Sequence, residues 1–239
     1  MREDESKFLE LYGVEQFNDM LRQEWKCQFA NLMENQQDIT RHLRASVIDW
    51  LFEVGTKLQI EDKGVIFQAI NLMDRFYDKQ LVSLPSKDLQ LTAVTALFIT
   101  SKNLEIDPID LQTCIKTLCF NKYAKGAFLR KEAEIRRATS YENESPSMLD
   151  FIMFYLRMVK FSVQQQIECL AETVSFLNEM TTVVYDLCKS VSIDANLFKY
   201  KPSILAASLV FLGFQIQFDS LVRTSKISLA AAQGKEVVG

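Results

Sequence analysis

Histidine occurs once in the 239 residues, as His42, and the chain holds only 7 glycines and 4 prolines. One histidine cannot make a multi-histidine metal set, and no motif context pairs this sole imidazole base with a nucleophilic serine or cysteine. Neither a glycine-rich phosphate loop nor a G-x-S-x-G turn is present, so no catalytic motif and no cofactor site is expected. Scarce glycine and proline also remove most of the turn signals that a sheet protein needs. An excess of one charge sign is missing too. Set against 31 acidic residues, 27 basic ones give a net charge of -4 and a pI near 5.3, with no basic field for nucleic-acid phosphates.

The cysteines lack the pattern that would give them a shared role. Cys27, Cys114, Cys119, Cys169 and Cys188 are odd in number and contain no C-x-x-C pair. A disulfide framework and a zinc site are therefore not expected, and the thiols should be reduced and buried. The N-terminal stretch MREDESKFLELYG is charged, and no uninterrupted apolar run reaches the ~18 residues that cross a bilayer. An intracellular, soluble protein without a membrane partner is the expectation.

What is present is helical pattern. Apolar residues make up 48% of the chain and charged ones 24%, enough for a sizeable core, and Leu, Ala, Gln, Glu and Met are plentiful. The fold class expected is all-α. Val14, Phe17, Leu21, Trp25, Phe29 and Leu32 recur at three- and four-residue steps, which predicts an amphipathic helix over 14–33. Thr40 stands as N-cap of a second helix through RHLRASVIDWLFEVGTKL, and a third is predicted over 62–79. After Pro85, the stretch LQLTAVTALFITS (89–101) has no charge, so it should be covered on every side. Shorter helices over 108–119 and 125–139 would complete a five-helix cluster around it.

A second cycle follows. Pro146 opens SMLDFIMFYLRMVKF, two further helical stretches run through VQQQIECLAETVSFLNEM and TVVYDLCKSVSI, and Pro202 opens SILAASLVFLGFQIQF, again uncharged. The similarity reads as a weak internal duplication with a spacing of about 115 residues. Residues 203–217 are thus expected to be a second central, nearly inaccessible helix. Only about twenty residues follow them, leaving open a shortened second unit. The organisation expected is an N-terminal arm and helix (1–38), a first helical domain (39–144) and a second (145–239).

The stretch RHLRASVIDWLFEVGTKLQI resembles the first helix of the cyclin box, with Leu43, Arg44, Ala45, Asp49, Trp50, Leu51, Glu53 and Val54 matching in order. Downstream, NLMDRFYDKQLVSLPSKDLQLTAVTALFITSKNLEI is similar to the cyclin stretch that carries D-R-F, L-Q-L and the end of the central helix. FLRKEAEIRRATSYENESPSMLDF and SIDANLFKYKPSILAASLVFLG resemble the fifth helix with its linker and the matching part of a second cyclin fold. The resemblance covers roughly residues 15–218 and implies tandem cyclin-box domains of the A/B type.

It further implies a regulatory subunit, not an enzyme, that binds and activates a cyclin-dependent serine/threonine kinase of the cell cycle, in the nucleus or cytoplasm. Lys102 and Glu132 correspond by position to the charged pair that anchors a kinase helix, with Leu104 and Glu105 beside them. Arg44 and Asp74 correspond to an internal ion pair. Leu43, Val47, Trp50, Glu53, Leu89 and Gln90 correspond to a patch that docks substrates or inhibitors bearing Arg-x-Leu. Read without the resemblance, Lys102 and Glu132 are two ordinary solvated helix charges, and Trp50 is a core residue.

Several positions depart from that pattern. Ser46 stands where the family usually has isoleucine, which forfeits about 1.5–3 kcal/mol of burial in the patch. Asn103 replaces an aromatic residue, and Arg136 and Thr139 stand where leucines are usual. A charge at 136 is costly to bury, so the resemblance implies either a rotated fifth helix or an unusual partner. The alternative function is a cyclin-fold structural subunit of some other assembly that activates no kinase. No R-x-x-L or K-E-N sequence occurs, so mitotic-type destruction signals are not expected from this chain.

Overall fold

In the computed structural model, which describes residues 2–29, 35–140, 145–166 and 171–232, all regular structure among the described residues is helical. The main elements are α1 (Arg2–Gln23), α2 (Arg41–Lys57), α3 (Gly64–Asp78), α4 (Leu89–Leu104), α5 (Lys125–Ala138), α6 (Met148–Gln166), α7 (Ala171–Ile193) and α8 (Pro202–Ala232). Thr40 caps α2 as its position predicts, its hydroxyl accepting from the Leu43 amide at 3.2 Å.

α4 is the axis of the first unit, packed between α2, α3 and α5. From Leu91 to Leu97 each of its residues is buried. Three threonines can be buried there because each hydroxyl donates four residues back along the same helix, Thr92 to Asp88, Thr95 to Leu91 and Thr100 to Ala96. Their hydroxyls are satisfied by carbonyls one turn back, and that of Thr100 also lies 3.3 Å from the Val65 carbonyl of α3.

The helix expected over 108–119 takes another form. Asp110 accepts from the amides of Gln112 and Thr113 and from the Thr113 hydroxyl, and the turn it opens continues as a π-helical segment, Thr113–Leu118. Phe120 and Asn121 then reverse the chain with φ of 48° and 60°, in the left-handed region.

The helix predicted over 14–33 is displaced. α1 begins at Arg2 and stops at Gln23, where the chain tightens into a 3-10 turn, Glu24–Cys27. Distant contacts set that stop. The buried Glu24 carboxylate accepts from the Ser203 amide at 3.3 Å and pairs with Lys201 at 3.2 Å, and the Phe29 amide donates to the Phe198 carbonyl at 2.8 Å. Trp25, one of the periodic apolar residues, is 64% exposed, and Leu32 lies outside the described residues. Phe17 keeps its expected role, stacking on Phe154 with ring centroids 4.7 Å apart.

In the second unit, the two stretches expected between 163 and 193 divide differently. Residues 163–166 finish α6, and 171–193 form the single helix α7. A larger correction concerns α8. Ser203, Ala206, Leu209, Val210 and Gly213 are buried on the side that packs against α6 and α7, but Ile204, Phe211, Phe214 and Phe218 are exposed. Residues 203–217 are therefore not a nearly inaccessible helix. Apolar composition calls for cover, and α6 and α7 cover one side only.

Ser203, Ser208, Gln215 and Gln217 interrupt the apolar stretch of α8, so no uninterrupted apolar run reaches bilayer length. Pro202–Arg223 is still long and apolar enough to cross a membrane by length and composition, with 22% of its most apolar window buried. The approach of α7 to α8 depends on Gly213, since a Cβ there would stand 2.3 Å from the Val184 side chain.

Candidate functional site

The C-terminal turn of α4 and the middle of α5 bring the two predicted charges together. Lys102 Nζ donates to Glu132 Oε1 at 2.6 Å, and the ammonium sits 4.0 Å from the centre of the Phe98 ring one turn earlier. Arg136, one turn further along α5, places Nε and Nη2 on the same oxygen at 3.1 and 3.0 Å. Burial raises the Glu132 carboxyl, but the hydrogen bonds and charges of Lys102 and Arg136 outweigh it and hold the group below its ordinary value.

The Lys102 side chain is 33% exposed and that of Glu132 16%, so the pair forms a half-covered knot at the surface. Leu104 and Leu129 are exposed on the two helices that hold the pair, and Ile106 follows α4 fully exposed. The result is a cationic, hydrogen-bonding centre with apolar neighbours. Glu105 is engaged elsewhere, since its Oε1 accepts from the Asp62 amide at 3.2 Å and fastens the loop between α2 and α3. Arg136 avoids the burial cost anticipated for it by lying along Glu132 at 25% exposure. Thr139 is buried, its hydroxyl donating to the Ile135 carbonyl.

Arg44 and Asp74 form a buried bidentate pair, Nε to Oδ1 at 2.8 Å and Nη2 to Oδ2 at 2.6 Å, both side chains fully covered. Burial pushes the Asp74 carboxyl above its ordinary value, and the guanidinium pulls against that shift. The rest of the guanidinium donates to the carbonyls of Ile193 and Ser192 at 3.0 and 3.2 Å, where α7 ends. These bonds join the first unit to the second across about 150 residues of sequence. They terminate a helix with cationic donors, the favourable sign at a C-terminus.

The predicted docking positions separate into floor and rim. Val47 and Leu89 are buried, Leu43 and Glu53 are exposed, and Trp50 is half-buried against the core. Gln90 donates to the Leu118 carbonyl at 3.4 Å, and Ser46 donates to the His42 carbonyl at 3.0 Å.

Sequence reasoning missed a buried polar cluster beside the junction. Asn71 Nδ2 donates to Cys27 Sγ at 2.9 Å and to Ser145 Oγ at 3.2 Å. Arg75 Nη1 reaches the same hydroxyl at 3.2 Å, and Cys27 Sγ donates to it at 3.3 Å. Nothing in the local pattern signals it, because its members come from three separate segments. Cys27, Cys114, Cys119 and Cys188 are free and buried, and Cys169 lies outside the described residues. Burial raises the Cys114 thiol to about 12 and the Cys119 thiol to about 11, which leaves no useful thiolate at neutral pH. Among the described residues no group of three or more His, Cys, Asp or Glu side chains could hold a metal ion.

With this geometry in place, comparison with known proteins decides the family. The family model for the N-terminal domain of cyclins matches residues 15–143, more than half of the chain. The chain belongs to the cyclin family. Cyclin-B2-1 of Oryza sativa subsp. japonica is 30% identical over 202 residues, spanning 84% of this chain and 43% of that relative. Cyclin-A2 of Xenopus laevis is 29% identical over 199 residues, spanning 82% of this chain and 43% of that protein. The chain thus spans less than half the length of these relatives. A viral cyclin from herpesvirus saimiri has a similar fold, with a TM-score of 0.66 at 18% identity over 83% of this chain and 81% of its own. Cyclins are regulatory subunits rather than enzymes.

Proposed function

We propose that this chain binds a cyclin-dependent serine/threonine kinase of cell-cycle type and activates it through the Lys102–Glu132 centre. The observation that carries this reading is the pair itself: two charges from different helices, 2.6 Å apart and part-exposed, where α4 and α5 pack together. An ammonium with three donors and a carboxylate with a free second oxygen can together meet both kinds of backbone group at the end of a partner helix. Leu104, Ile106 and Leu129 supply apolar contact beside them.

Arg136 supports the second reading, a structural subunit of another assembly. It occupies Glu132 Oε1 from within the chain and adds a positive charge to the face. Recovery of a protein kinase when the purified chain is used as bait, together with a rise in that kinase's activity on adding the chain, is the result expected for the regulator. A kinase-free assembly would favour the structural subunit.

For the docking patch we infer weak recognition of Arg-x-Leu segments. Leu43 and Trp50 offer apolar surface over the floor of Val47 and Leu89, but Ser46 turns its hydroxyl back to its own helix and adds no aliphatic bulk. Titration of an Arg-x-Leu peptide against the chain tests it.

A further inference from the structure

The surface that holds Lys102 and Glu132 carries more positive charge than that pair accounts for. Lys125, Leu129, Glu132 and Arg136 follow one another along α5 at steps of four, three and four, which aligns them on one face. Lys125 and Leu129 are exposed, and Lys102 joins the face from the end of α4 with the exposed Leu104 two residues on. Glu132 is the one carboxylate in this set, and its Oε1 already receives Lys102 Nζ together with Nε and Nη2 of Arg136. Glu105, the next acid after Lys102, is bonded to the Asp62 amide. Three cations thus share one carboxylate, on a chain whose net charge is -4.

We propose that this face accepts an acidic amphipathic helix, with a carboxylate side chain of the partner meeting Arg136 and apolar side chains lying on Leu104 and Leu129. The inference rests on the kinase reading above and specifies the chemistry of the kinase segment that this chain selects. Arg136 is the residue that makes the selection.

Charge balance carries it. In the free chain Lys102 and Arg136 keep access to water, at 33% and 25% exposure. A covering partner removes that water, and a neutral surface would leave the surplus cation desolvated without an anion. A carboxylate on the partner offsets that cost. Nη1 of Arg136 lies outside its bonds to Glu132, and a planar guanidinium is suited to a second carboxylate. The leucine usual in cyclins at this position asks for no anion, so Arg136 separates partners that bring the acid from partners that do not.

Calorimetric titration of the whole chain with the purified catalytic subunit of a cell-cycle cyclin-dependent kinase tests it. Arg136→Leu should weaken binding about tenfold and flatten its salt dependence between about 50 and about 300 mM, and Arg136→Glu should weaken it further. Arg136→Lys, which keeps the charge, should stay within a few-fold of the parent. Should Arg136→Leu fail to fold, Arg136→Gln reads the same loss. An affinity for Arg136→Leu equal to or above the parent's overturns the proposal, as does an unchanged salt slope. Lys102→Ala combined with Glu132→Ala, titrated alongside, separates the two readings. If that variant loses affinity and Arg136→Leu does not, the acidic partner falls and kinase binding stands; if neither loses affinity, or the parent binds no kinase, both fall.

Discussion

α4 and α8 begin alike and end differently. Each follows a proline, runs without charge for a dozen residues or more, and carries small residues that let neighbouring backbones come close. α4 is enclosed by α2, α3 and α5. α8 is covered by α6 and α7 on one side, and its phenylalanines face outward. Apolar composition states a demand for cover, and the three-dimensional neighbours decide whether the demand is met within the chain. The first unit therefore encloses its central helix and holds Lys102 and Glu132 between two packed helices, whereas among the described residues one side of α8 is left open.

The strongest way to break this contrast is at the joint between the units. Arg44→Ala leaves Asp74 buried without its partner and strips the Ser192 and Ile193 carbonyls of their donors, and removal of one member of such a pair costs about 3–5 kcal/mol. Urea unfolding should show that loss, with the two units falling together. A variant within ~1 kcal/mol of the parent would mean that the joint is dispensable.

Substitution of matched residues sharpens the contrast further. Leu97→Ala in α4 opens a cavity in a site with no exposure and should cost about 2–5 kcal/mol. Phe211→Ala in α8, where the side chain is 69% exposed, should change stability by no more than ~0.5 kcal/mol despite removing a larger side chain. Equal costs would show that α8 is covered after all. Hydrogen exchange offers the same comparison without substitution: the amides of 91–101 should be the slowest in the chain, and those of 214–223 distinctly faster.

The helices are readable because an amphipathic period is a local property, and the cap at Thr40 is set by residues next to it in sequence. Unreadable features have distant causes. α1 stops at Gln23 because Glu24 reaches Ser203 and Lys201, and Arg44 ends α7 through carbonyls about 150 residues away. The Cys27, Asn71 and Ser145 cluster has no local period at all. Lys102 and Glu132 are found by resemblance to a family pattern, and the part Arg136 takes in their hydrogen bonding becomes visible only in three dimensions. The exposure of α8 escapes sequence reasoning because a run of apolar residues looks the same whether two neighbours or four surround it.

Smaller effects follow from surface chemistry. Ser46→Ile should tighten binding of an Arg-x-Leu peptide by a few-fold up to tenfold, since only part of the ~1.5–3 kcal/mol available from full burial is recovered at a rim position. An unchanged titration would mean that Leu43, Trp50 and Gln90 do not outline a groove. Smallest is the acid response of Glu132. Because the folded chain holds this carboxyl below its ordinary value, the group contributes its full stabilisation above the ordinary carboxylate range and loses it as pH falls through the lowered value. Glu132→Gln should flatten the acid side of a stability profile taken from about pH 6 to pH 3, with its modest loss of stability present at neutral pH and the difference from the parent vanishing in acid. An identical acid slope would show that Lys102 and Arg136 do not hold the carboxyl in solution.

The most direct test of the central claim, that the first unit is a rigid holder for a partner-binding charge pair, is one pair of readings on Lys102→Ala combined with Glu132→Ala. At about 1.5–3 kcal/mol for each charged hydrogen-bonding group, affinity for the kinase recovered with the wild-type chain should fall roughly a hundredfold or more. The thermal midpoint should move little, because the site is part-exposed and Arg136, which loses Glu132, has access to water. Unchanged affinity would contradict the claim and favour a structural subunit, and a collapsed midpoint would make the pair part of the scaffold it was thought to stand on.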